Sequence, residues 1–144
     1  MRSTHAGLKR DFPIHETVED HSGRDRSFVI RCHQGPAGYT VRASEEGTDE
    51  PGYEFAAFSE TSPYSVLGRV RDKMSREVAT RYLSVKRQGP RMLHDTLKGR
   101  ISSDGEGGVL LVVDGAGLRS EDLETLLLSR EGWEFELRIT DALE

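Results

Sequence analysis

The chain has 144 residues, 35% hydrophobic and 31% charged, which is apolar material for one modest core in one ordinary domain. No run approaches the roughly 18 apolar residues of a membrane span, and Arg2, Lys9 and Arg10 precede no apolar signal-like stretch, so a cytoplasmic location is expected. The formal net charge of −5 is uneven: residues 69–100 hold ten basic against three acidic side chains, a local +7, while the remainder holds ten against twenty-two, a net −12. Such asymmetry concerns partners rather than fold.

In chain order, residues 1–25 are rich in charge and histidine with no sustained period, which predicts a mobile arm in which Phe12, Pro13 and Ile14 can dock as a short extended piece. The domain proper is then 26–144. Phe28, Ile30 and Cys32 alternate with Val29, Arg31 and His33, and beyond Gln34 to Gly38 the residues Tyr39, Val41 and Ala43 do the same, which predicts a hairpin. An acidic loop over 45–52 leads to a third strand at 53–58. Ser62 as N-cap and Pro63 at the first helical position start a helix whose apolar face is Val66, Leu67, Val70, Met74, Val78 and Tyr82, running to about Leu83.

Gly89-Pro90 ends this half and marks a possible sub-division of the domain. Residues 92–101 suggest a strand, and Val109-Leu-Leu-Val-Val113 is an unbroken apolar run bounded by glycines, the pattern of a buried strand. Ser120 is placed to cap a second helix carrying Leu123, Leu126 and Leu127, closed by Gly132. Trp133, Phe135, Leu137 and Ile139 then alternate with Glu134, Glu136, Arg138 and Thr140, which predicts a final strand with Trp133 as a core anchor. The order is βββα-ββαβ, an α+β class with two helices on one face of a mainly antiparallel sheet.

Few residues offer chemistry. Gly115-Ala-Gly117-Leu-Arg-Ser120 lies between a strand and a helix as a dinucleotide-binding turn does, but Ser120 replaces the third glycine, and Glu121 and Asp122 put negative charge where a phosphate would sit. No cofactor is expected there. Cys32 and His33 point to opposite faces of one strand and cannot share a metal, the other histidines are scattered, and no nucleophile elbow is present, so neither a metal site nor a catalytic residue is assigned. The exposed carboxylates, including Glu134 and Glu136, lack a pocket to separate their pKa values. Arg69, Lys73 and Arg76 on the first helix, with Lys86, Arg87 and Arg91 after it, form a basic stripe that a nucleic-acid backbone could follow, although no aromatic residues interleave with it.

Three stretches, Gly99-Arg-Ile101, Val109 through Gly115, and Leu126 through Gly132-Trp-Glu-Phe135, resemble a family of uncharacterised bacterial domains that share an apolar strand ending in Asp-Gly, a short helix and a Gly-aromatic-x-Phe strand. The resemblance implies no activity. The expected function is non-enzymatic binding, to another protein or to a second copy, with a nucleic-acid-binding accessory as the alternative. No small-molecule substrate or membrane partner is expected.

Overall fold

Phe28, Ile30 and Cys32 share one face with Val41 and Ala43 of the next strand, and this shared face sets the register of a four-stranded antiparallel sheet. A computed structural model describes residues 10–87 and 89–144, and for Lys86 the backbone only. Strands β1 (Ile14–Glu19), β2 (Asp25–Gly35), β3 (Gly38–Glu45) and β4 (Glu54–Ser59) lie side by side in chain order. Between β2 and β3 the chain turns at Pro36-Ala37, and a Cβ on Gly38 would stand 2.4 Å from the Ser59 carbonyl oxygen, so only glycine fits there.

Helix α1 (Pro63–Val78) covers this sheet. The Ser62 hydroxyl accepts the Tyr64 N–H at 3.1 Å, and Pro63 follows at a position where its missing N–H has no cost. Val66, Val70, Met74 and Val78 are buried at helical spacing against Phe28, Ile30, Val41, Ala43 and Ala57. The helix ends at Val78, short of Leu83. Tyr82 and Leu83 instead join a second core with Val113, Leu118 and Leu126.

That second core belongs to two further sheets and a helix. Strands β5 (Leu83–Lys86) and β6 (Gly89–Met92) form a hairpin; β7 (Arg100–Ser103), β8 (Val109–Val113) and β9 (Ala116–Leu118) form a three-stranded antiparallel sheet; α2 (Ser120–Leu128) packs on β6 and β9. The class is α+β with antiparallel sheets throughout, in the order ββββα followed by βββββα. Each helix covers its own part of the structure, so the two do not share one sheet face.

Several local expectations change. Residues 14–19, assigned above to a mobile arm, pair with β2 over six positions, and Phe12 is buried in the first core. Ile14 and Val18 are too few to show a period, but β2 supplies the missing backbone partners. Residues 1–9 of that arm lie outside the described residues. Gly89 and Pro90 sit within β6, opposite Lys86 and Val85, so they continue a hairpin. The change of core falls at 79–81, just after α1. Of 92–101 only Met92, which ends β6, and Arg100 and Ile101, which begin β7, are strand.

The largest correction concerns the final strand. Residues 133–140 have no regular structure and are exposed throughout, with Trp133 at 63% and Phe135 at 88%. Alternation specifies a strand face only when another sheet supplies the partner. Trp133 therefore anchors no core. Trp133→Ala should cost under about 1 kcal/mol, well below the range for a buried aromatic; a urea titration that shows a larger loss would contradict the exposed placement.

Candidate functional site

The glycine-rich turn 114–117 resolves into a structural joint. Asp114 (φ +56°) and Gly115 (φ +80°) are the two central residues of a hairpin whose ends are the paired Val113 and Ala116. Two left-handed residues in succession are what a type I′ turn needs, and Asp-Gly is a preferred pair for it. The Asp114 carboxylate accepts the N–H groups of Tyr82 at 3.1 Å and Leu83 at 2.9 Å, while the Gly115 carbonyl accepts the Gly52 N–H at 2.8 Å. These bonds tie the β8–β9 turn to the segment after α1 and to the loop before β4. Gly115 lies so close to Tyr53 that an added Cβ would come within 3.0 Å of its ring. The Asp-Gly dipeptide was the signal for this turn, and it also explains strand β9, which the sequence reading omitted. Arg119, not Ser120, caps α2, with the Asp122 carboxylate accepting the Arg119 N–H at 3.0 Å.

A second polar group was not foreseen. The Asp20 carboxylate, 1% exposed, accepts from the Ser22 N–H and hydroxyl, the Arg24 N–H and Arg26 Nε, while the other end of the Arg26 guanidinium reaches Glu45 at 3.1 Å. Burial alone would raise the Asp20 pKa, but the bonds from Ser22, Arg26 and Arg24 together hold it well below the usual carboxylate range. Arg26 also lies over the Tyr53 ring at 5.2 Å. The Tyr53 hydroxyl is buried without a hydrogen-bond partner among the described residues.

The basic residues separate into two places. Arg69, Lys73 and Arg76 follow one another along α1, whereas Arg87 and Arg91 lie on the β5–β6 hairpin; the Lys86 side chain lies outside the described part. Arg69 donates to the Phe58 carbonyl at 3.4 Å, and Arg76 stands 3.9 Å from Glu77. The Lys73 ammonium donates to the backbone oxygens of Ala56 at 2.8 Å, Ala142 at 3.1 Å and Glu144. Burial, and then the Arg69 and Arg76 cations beside it, lower its pKa. Lys73 thus closes residues 142–144 against β4, and its three donors are already used. Cys32 packs against the first core, where burial raises its pKa, and His33 is exposed. Among the described residues no group of three His, Cys, Asp or Glu side chains could hold a metal ion, and no helix is long and apolar enough to cross a membrane.

The most exposed apolar surface adjoins α2. Leu126 faces the second core, while Leu127 (56%) and Leu128 (62%) face outward and, with Ser120, Leu123, Glu124 and Glu131, line an open apolar groove. Gly132 (φ +88°) then leads the chain into residues 133–140, which have no regular structure. Both ends of that segment are held. At one end Arg130 stacks 4.6 Å from the Trp133 ring and pairs with Asp95 at 2.6 Å; at the other the Leu143 carbonyl accepts the Phe58 N–H on the open edge of β4. Between them, no backbone–backbone hydrogen bond joins residues 134–140 to other described residues.

Residues 10–79 match the model of a domain of unknown function (DUF7686), and residues 82–144 match that of another (DUF7713). Neither the curated proteins nor the solved structures yield a match. The chain is thus similar to two domain families in succession, and the step between them falls where α1 ends and the second core begins.

Proposed function

We propose that this is a non-enzymatic binding module that engages a protein chain through residues 133–139 and the groove of α2. The observation that carries this is the segment without regular structure held at both ends, with Trp133, Phe135, Leu137 and Ile139 exposed and the backbone of 134–140 unpaired among the described residues. An extended strand with free N–H and C=O groups invites pairing with another strand, and alternate apolar side chains add specificity. Apolar patches of several hundred Å² on a soluble chain mark interaction sites. The alternative, nucleic-acid binding by Arg69, Lys73, Arg76, Lys86, Arg87 and Arg91, has less support, because Lys73 is engaged with backbone oxygens and Arg87 and Arg91 stand on a separate sheet.

A photo-crosslinking amino acid at position 135, introduced in living cells, tests the proposal. A discrete protein adduct at 135, absent when the same group replaces exposed Glu106, is the expected result. No adduct at 135, together with retardation of short DNA or RNA that weakens steeply with salt, would transfer the function to the basic residues.

A further inference from the structure

We infer that the occupant of this surface is a second copy of the chain, joined by antiparallel pairing of residues 133–141 about a two-fold axis at Leu137. The inference rests on the binding function proposed above and identifies its partner. Two observations single out a second copy.

The first is charge. In a two-fold antiparallel pair centred on Leu137, Glu136 of each copy stands opposite Arg138 of the other, Glu134 opposite Thr140, Phe135 opposite Ile139, and Leu137 opposite itself. Every cross-strand pair from 134 to 140 is then ionic and opposite in sign, apolar, or free of like charge. Shifting the centre by one residue, to Glu136, sets that carboxylate against its own copy, which cross-strand pairing disfavours. The segment thus complements itself in a specific register, as a two-fold interface requires.

The second is area. Trp133, Phe135, Leu137 and Ile139 expose between 63% and 88% of their surface, and Leu127 and Leu128 more than half. Together they offer roughly 800 Å² per copy, the amount a standard stable interface removes from each partner. A two-stranded ribbon is marginal by itself. Its apolar face needs a cover, and the α2 groove, whose lining reaches Glu131 beside Gly132, offers adjoining apolar surface.

The test uses the full chain in a Cys32→Ser background, so that only an introduced cysteine reacts. Directly opposed residues lie about 4.5–5.5 Å apart between Cα atoms, within disulfide range. Leu137→Cys should therefore give a disulfide-linked dimer on mild oxidation, and Glu136→Cys much less. Without added cysteines, sedimentation equilibrium should show a dimer; Arg138→Glu should raise its dissociation constant at least about tenfold, since two attractive pairs become repulsive. The double variant Glu136→Arg with Arg138→Glu should restore it. These positions carry no core contact, so unchanged circular dichroism will show that each variant folds. A monomeric mass at the highest attainable concentration would overturn the inference, as would preferential crosslinking of Glu136→Cys or failure of the double variant to restore association. If the chain is monomeric while position 135 crosslinks to a different protein, the second copy is excluded and the binding function stands; if position 135 crosslinks to nothing, both fall.

Discussion

Replacing Asp20 by alanine should lower the unfolding free energy by about 3–5 kcal/mol, because it removes one partner of a buried ion pair and leaves charge and backbone N–H groups unsatisfied. Asp20 accepts four hydrogen bonds in the β1–β2 connection, and Arg26 would retain only Glu45. The effect has a pH signature. The folded carboxyl is held below its ordinary value, so its contribution is complete above the unfolded pKa of about 3.9 and is lost as pH falls through the folded value. The stability gap between the native chain and Asp20→Asn, measured by urea titration, should thus be widest near neutrality and narrow below about pH 4. A gap that widens on acidification would contradict the assignment.

Phe28→Ala should be comparably damaging, at about 3–5 kcal/mol. Phe28 is fully buried, lies 6.5 Å from the Tyr53 ring and 6.2 Å from the Phe55 ring, and faces α1 across the first core. Its removal would leave a cavity that the paired strands on either side cannot close by collapsing. The ranking against Trp133 is the sharper expectation: composition favours the tryptophan as the anchor, but burial places the cost on Phe28. Equal losses for the two alanine variants would mean that the 133–139 segment is packed in solution.

How far the sequence was legible depended on the range of the interaction involved. The β2–β3 hairpin and the start of α1 could be read because period-2 alternation, Gly38, Ser62 and Pro63 act within a few residues. β1 could not, since Ile14 and Val18 become a strand only when β2 is present to pair them. The candidate surface was legible in its residues and illegible in its role: the alternation at 133–139 predicts a buried strand, and the segment is exposed and without regular structure. The basic stripe was similarly divided, since spacing put Lys73 on a free face while the fold set it against the backbone of residues 142–144.

By itself the sequence determined the α+β class, the β2–β3 hairpin and the buried face of α1, because hydrophobic period, capping and turn chemistry are local properties of the chain. Only the tertiary structure decided that Asp114-Gly115 joins the two cores, that Asp20 is buried among donors, and that Trp133, Phe135, Leu137 and Ile139 are left exposed. Each of these depends on which distant backbone or side chain comes to lie opposite. A side-chain pattern specifies which face seeks cover, and the assembled fold specifies whether the chain itself supplies it.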